Sequence, residues 1–196
     1  MLIKSIKMKM INKTSAKKVD YLRKQGCQIG EKTRLLCGTG SFGTEPYMVK
    51  LGKDCLISSN VSFLTHDGGV KVLNSLKYFG DTAMDKVGAI TVGDNCFIGN
   101  SVKIMPGVKI GDNVIVGTGA IVTKDVPSNC IVAGIPARII CTLDEYYEKN
   151  QKRFIPTAKM SAEEKKKYIL ENVMKEQWHQ IFFYIKFYII SVNWRN

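Results

Sequence analysis

Histidine is almost missing from this chain: His66 and His179 are the two present in 196 residues. There is no Cys-x-x-Cys pair, and neither histidine stands at ligand-like spacing from the six cysteines, so no metal is expected. Acidic residues are also few, 17 against 29 Lys and Arg, for a formal charge of +12. No apolar run approaches the roughly 20 residues that cross a bilayer. The longest, 181–190 (IFFYIKFYII), admits packing against the domain or a partner subunit, a peripheral membrane contact, or an irregular tail. Near Met1 the apolar residues are broken by Lys4, Lys7 and Lys9, so no secretory signal is read there. With thiols read as reduced, the expected location is the cytoplasm, the inner face of the membrane being left open.

The basic surplus is uneven. Residues 1–24 carry eight Lys/Arg against Asp20 alone, net +7; residues 25–143 carry eleven against nine, net +2; residues 144–196 carry ten against seven, net +3. A basic arm can meet nucleic acid or an anionic surface, but no nucleic-acid motif accompanies it, and a solvated extension is expected. Ser15 is placed to cap a short helix over roughly 16–25, with Val19 and Leu22 on one face and Gly26 as the stop. A second helix is expected over 143–154, broken by Ile155-Pro156, and a third after the capping-box spacing of Ser161 and Glu164.

The positive signal is a period of six. Val92, Ile98, Ile104, Ile110, Val116 and Val122 begin consecutive hexapeptides, four of them followed by Gly (Gly93, Gly99, Gly111, Gly117). Four positions after each aliphatic stands a small or β-branched residue: Cys96, Val102, Val108, Val114, Ala120, Val126. Residues six apart lie on opposite faces of an α-helix, which excludes helical packing. One large and one small inward residue per six fits a short strand plus a corner; three such units close a triangle, and stacked triangles make a parallel β-helix. Leu51, Ile57 and Phe63 extend the frame upstream with Cys55 and Val61 in the small slot, where a thiol acts as a compact hydrophobe. Ile29, Gly30 and Thr33 start an earlier, weaker run. The expected organisation is a basic arm and helix over 1–28, a repeat domain over 29–142 of about five coils, and a helical extension over 143–196.

The frame stops once, at Leu64-Thr65-His66-Asp67-Gly68-Gly69, and resumes near Ile90. A long Gly- and charge-rich excursion over 67–89 inside a regular coil is where function is expected. An imidazole suits proton abstraction near neutral pH, and of the two histidines only His66 sits where the coil opens. No serine or cysteine reads as a covalent nucleophile, which favours direct reaction between two bound substrates in a ternary complex. Asp67 is one candidate to orient the imidazole, although neighbours in an extended segment point to opposite sides; a backbone carbonyl or a loop residue is an equal alternative. Glu45 and Asn60 precede the histidine and are polar, suited either to hydrogen-bonding a ligand or to turns.

In these segments, 51–61, 63–69 and 92–140, the chain resembles the hexapeptide-repeat, left-handed β-helix acyltransferases, and among them the galactoside, maltose and polysaccharide O-acetyltransferases. The resemblance implies an all-β core wound as a left-handed parallel β-helix, a sense that the usual right-handed crossover rule would not have given. It implies acetyl-CoA as acyl donor, a sugar or surface-polysaccharide precursor as acceptor, and His66 as the general base. It also implies a homotrimer with active sites between subunits, the 67–89 excursion reaching over a neighbour. Asn100, Gly117, Thr118, Thr123, Lys124 and Arg138 fall on positions that line the family's coenzyme groove, with Phe97 where a Trp is frequent. Glu45, Asn60 and Asp67 are the acceptor-side candidates. Two alternatives compete: N-acetylation of an amino-sugar nucleotide, and a non-catalytic β-helix scaffold. A zinc-dependent branch of the fold needs several histidines, and the repeat domain has one.

Overall fold

A computed structural model describes residues 2–175, which puts His179 and the 181–190 apolar stretch outside the described residues. The chain divides into two compact units, 1–149 and 150–196. In the first, short strands follow one another around three sides. β1 (Gln28–Ile29), β2 (Arg34–Leu35) and a 3-10 turn (Thr39–Phe42) make one circuit. β3 (Val49–Leu51), β4 (Leu56–Ile57) and β5 (Ser62–Phe63) make the second. β6 (Ile90–Val92), β7 (Phe97–Ile98) and β8 (Lys103–Ile104) make the third, and β9 (Lys109–Ile110), β10 (Ile115–Val116) and β11 (Ile121–Val122) the fourth. Every strand pairs in parallel with its counterpart in the next circuit, giving sheets β1-β3-β6-β9, β2-β4-β7-β10 and β5-β8-β11. Val126 bridges to Ile110 and β12 (Cys130–Gly134) pairs with β10, beginning a fifth circuit. β13 (Ala137–Thr142) then turns back antiparallel on β12 and covers that sheet edge.

The six-residue period produces this directly. Three repeats bring the chain back to the same side, so Leu51 lies under Val92 and Ile110, Ile57 under Ile98 and Val116, and Phe63 under Ile104 and Val122. All nine are buried, as are the small-slot residues Cys55, Val61, Cys96, Val102, Val108, Val114, Ala120 and Val126. All six cysteines are free, and burial pushes the Cys27 thiol up to about 12, so it packs as a neutral hydrophobe. Several corners carry one residue in the left-handed conformation. At one edge that residue is asparagine, Asn95, Asn113 and Asn129, with φ of 53°, 55° and 63°. Their amides stack: Asn95 Nδ2 donates to Asn113 Oδ1 and Asn113 Nδ2 to Asn129 Oδ1, each at 2.9 Å. Close stacking also needs Gly99, where a Cβ would lie 2.7 Å from both the Thr118 amide nitrogen and the Val116 oxygen.

The N-terminal end of the coil is closed by a helix. α1 (Leu2–Ile11) leads into α2 (Ser15–Lys24), which buries Val19 and Leu22 together with Lys18, whose Nζ donates to the Cys37 carbonyl at 2.8 Å. The helix start differs from expectation by one residue. Thr14 is the N-cap, its hydroxyl accepting from Lys17 N, while Ser15 Oγ accepts from Leu35 N at 2.8 Å and so ties the helix to β2. Helix α1 lies where only a solvated extension was expected. The 67–89 excursion holds a short helix, α3 (Val70–Ser75). α4 (Leu143–Asn150) is followed by a 3-10 turn, Gln151–Arg153, that stops short of Ile155-Pro156. In the second unit α5 (Ala162–Tyr168) starts at a reciprocal capping box between Ser161 and Glu164 and runs on as a wider helical stretch, Ile169–Met174. Among the described residues no helix is long and apolar enough to cross a membrane.

Candidate active site

One edge of the coil, where the third sheet hands over to the first, gathers the reactive side chains. Phe42 fills the third-sheet position of the first circuit and stacks on Phe63 with ring centroids 4.7 Å apart. Counting forward from these two aromatics puts Thr44 under Thr65 and Glu45 under His66. The next circuits place Pro106 and Gly107 after β8, and Lys124 and Asp125 after β11, along the same edge. Circuits are spaced by about 4.8 Å, so Lys124 stands roughly 10 Å along the edge from the His66 level.

Glu45 and His66 are in contact across one circuit. His66 Nδ1 lies 3.0 Å from Glu45 Oε2, Thr65 Oγ1 donates to the same oxygen at 2.8 Å, and Thr44 Oγ1 donates to Oε1 at 2.5 Å. The hydroxyls of Thr44 and Thr65, then the imidazole, hold the Glu45 carboxyl down at about 2, so it is ionised at any physiological pH. An ionised carboxylate only accepts, so Nδ1 must carry the proton and Nε2 is left as the basic nitrogen. Thr65 is buried, whereas the His66 side chain is about half exposed (52%), and Nε2 has no hydrogen-bond partner among the described residues. The pair can therefore take a proton from something bound at the edge and keep the ring oriented while it does so.

The excursion is pinned at its neck beside this pair. Gly88 N donates to the Thr65 carbonyl and Asp67 N to the Lys86 carbonyl, both at 2.8 Å. Asp67 does not orient the imidazole. Its Oδ1 accepts from Gly69 N and its Oδ2 from Lys86 Nζ, each at 3.0 Å, and these two partners hold its carboxyl below the usual range. Sequence reasoning left the orienting group open and had Glu45 only among the acceptor candidates. It missed Thr44 and Thr65 as anchors of that carboxylate. The regular eighteen-residue circuit gives no signal for them, because Phe42 and Phe63 are 21 residues apart and only their stacking brings residues 44 and 45 beneath 65 and 66.

The remaining candidates fall in two places. Lys124 and Arg138 line one cleft of about 350 Å³ at the last circuit, walled by Val122, Val126, Val132 and Ile139, and exposed Thr123 adjoins Lys124. Asn60, Asn100, Gly117 and Thr118 lie instead on the corners between the second and third sheets. There Asn60 has φ of 57° as a turn residue, and the Asn100 carbonyl accepts from Gly119 N at 2.8 Å. Gly117 is required for packing, since a Cβ would come within 2.9 Å of Ala133 Cβ. Within one chain these four are not brought to the His66 edge. Exposed Phe97 lies on the outer face of β7, in a groove of about 330 Å³ with Leu56 and Ile115.

Comparison with known proteins agrees with this architecture. Residues 89–124 match the bacterial transferase hexapeptide (six repeats) family. The chain is 38% identical over 161 residues to Protein CapG of Staphylococcus aureus, covering 82% of this chain and 91% of that one. It is 39% identical over 112 residues to the galactoside O-acetyltransferase of Escherichia coli strain K12, spanning 55% of this chain and about half (53%) of that enzyme. In fold it is similar to a hexapeptide-repeat-containing acetyltransferase of Vibrio cholerae crystallised with acetyl coenzyme A. That likeness has 24% identity and a TM-score of 0.50, over 68% of this chain and 81% of that one. The chain belongs to the hexapeptide-repeat acyltransferase family.

Proposed function

We propose that this chain transfers an acetyl group from acetyl-CoA to a hydroxyl of a sugar or surface-polysaccharide precursor, with His66 as general base. The observation that carries the reading is the Glu45–His66 pair at 3.0 Å, which leaves Nε2 free at an exposed edge. His66 Nε2 accepts the hydroxyl proton as the acceptor oxygen attacks the thioester carbonyl, and the Glu45 carboxylate balances the imidazolium as it forms. The tetrahedral intermediate then collapses with cleavage of the C–S bond, and the imidazolium returns its proton to the departing coenzyme A thiolate. The hydroxyls nearest the ring, those of Thr44 and Thr65, are both donated to the Glu45 carboxylate, which supports direct transfer over a covalent intermediate. The donor supplies the activated acetyl group. The residues at the last circuit fit it, because Lys124 and Arg138 offer two cations for its phosphates beside the apolar wall of Val122, Val126 and Val132.

The coil is wound left-handed and the active unit is a trimer. The support for the trimer is the split of the candidates: His66 and Lys124 lie on one edge, and Asn100, Gly117 and Thr118 on another. Threefold packing sets one chain's edge against its neighbour's and unites the two sets. A cytoplasmic site for the reaction is supported by the six free cysteines, which suit a reducing compartment.

Release of free thiol from acetyl-CoA, measured with a panel of hydroxyl and amine sugars, tests the reading. His66→Ala should lose at least ~100-fold in turnover, the low end for general-base catalysis. Unchanged turnover would remove His66 from the mechanism. Turnover confined to amine sugars would move the acceptor to nitrogen.

A further inference from the structure

The cleft between the two N-terminal helices belongs to no part of this mechanism. It encloses about 510 Å³ and is lined from α1 by Lys7, Met10 and Ile11, and from α2 by Lys17, Tyr21 and Lys24, with Asp20 and Gln25 completing it. The α2 residues 17, 20, 21 and 24 recur at helical spacing, and they form the stripe left over when Lys18, Val19 and Leu22 face the coil. Two of the basic residues in this region are committed to structure: Lys18 to the Cys37 carbonyl, and Arg23 to the Ile29 carbonyl at 2.6 Å. Lys7, Lys17 and Lys24 are not. All three are exposed, and none is ion-paired among the described residues.

Three ammonium groups face one carboxylate, Asp20, across a shared cleft. The lining therefore carries a net charge of +2, which attracts a polyvalent anion, while the exposed ammonium groups are solvated and screened without one. The floor is apolar and aromatic, from Met10, Ile11 and Tyr21, which suits a ligand with a charged head and a less polar body. Lys17 and Lys24 stand seven residues apart, about 10 Å along the helix, so two flexible stems can close on a group with two phosphates from either end. The far end of the cleft adjoins the 3-10 turn Pro46–Met48, which follows the active-edge residues in the chain. After Gln25 comes Gly26, where a Cβ would lie 2.8 Å from Tyr47 Cβ, and Tyr47 is two residues beyond Glu45.

We propose that the α1–α2 cleft is an anion site that takes the diphosphate of a phosphorylated ligand, held by Lys7, Lys17 and Lys24. The assignment stands on the cleft itself and is independent of the acetyl-transfer reading.

The test titrates full-length protein with inorganic pyrophosphate by calorimetry. To silence the phosphate cations at the last circuit, the titration is done in a Lys124→Gln, Arg138→Gln background. Adding Lys7→Gln, Lys17→Gln and Lys24→Gln should weaken binding at least about tenfold, with a shallower salt dependence. The same loss should be partial in Lys24→Gln alone, which guards against a folding defect in the multiple variant. A second arm measures co-sedimentation with phosphatidylglycerol vesicles. Vesicle binding that needs the three lysines, with pyrophosphate binding absent, would overturn the diphosphate assignment, since phosphatidylglycerol carries a single phosphate, and would make the cleft a contact for an anionic lipid surface. Unchanged pyrophosphate and vesicle binding after removal of the three lysines would overturn the site, as would no binding of either probe by the starting protein. Neither result touches His66, whose role is read from thiol release.

Discussion

Replacing Glu45 by Gln separates the orienting role of this residue from its charge. In the wild-type chain the carboxylate accepts three hydrogen bonds, from Thr44, Thr65 and His66. A glutamine keeps one accepting oxygen. If that oxygen takes the Oε2 place, it can still receive both Thr65 and Nδ1–H, while its NH2 faces Thr44, whose hydroxyl can turn round and accept. This arrangement satisfies every group and should dominate over the flipped amide, which would aim a donor at Nδ1 and force the wrong tautomer. The wrong tautomer would cost on the order of 10⁴ in turnover. The favoured arrangement loses only the fixed negative charge beside the developing imidazolium, and charge-assisted hydrogen bonds are about twice as strong as neutral ones. The expected loss is therefore about 10- to 100-fold in kcat, with KM for acetyl-CoA little changed because Glu45 is placed away from the Lys124–Arg138 cleft. Thiol release gives the kinetic values, and 15N spectra of the His66 ring report which nitrogen is protonated. Wild type should show the Nδ1–H form, and Glu45→Gln the same form with a minor second tautomer. A kcat within twofold of wild type, with the ring spectrum unaltered, would refute the claim that Glu45 positions the base.

Two other outcomes follow from the same geometry. Gly99→Ala should destabilise the coil by ~1–3 kcal/mol, because the atoms a Cβ would strike, Thr118 N, Val116 O and Gly117 C, are all backbone and cannot swing aside. Thermal unfolding should show a Tm lower by several degrees, and an unchanged Tm would mean the circuits are not in close register there. The Glu45 carboxyl, ordinarily near 4.5 and held at about 2, stabilises the folded edge at all pH above 4.5 and loses that contribution as pH falls from 4.5 through 2. Carboxyl 13C titration should give a midpoint near 2, and Thr65→Val, which removes one donor, should raise it. A wild-type midpoint at 4.5 would show that the three hydrogen bonds do not persist in solution.

The repeat itself carried the coil. Aliphatics at 92, 98, 104, 110, 116 and 122 with small partners four residues on are all buried as read, because a six-residue side is a local property and the inward slots are set by size alone. The broken rung was equally legible, since an interruption in a regular frame is visible without coordinates. Local capping signals were readable to within a residue. Ser15 was displaced from its capping role by Thr14 because a partner twenty positions away, Leu35, claimed its hydroxyl. Helix α1 went unread because its lysines spoke for solvent.

What the tertiary structure alone decided is which side chains meet. Glu45 and His66 are 21 residues apart, a circuit of eighteen plus three, and only the stacking of Phe42 under Phe63 shows that the extra residues still bring a carboxylate beneath the ring. The same winding moved Asp67 away from the ring and gave it to Lys86. A period in the sequence specifies the side of a coil on which a residue lies, since that depends on local geometry. It does not specify which neighbour lies above or below, because that depends on how many residues each corner spends in turning.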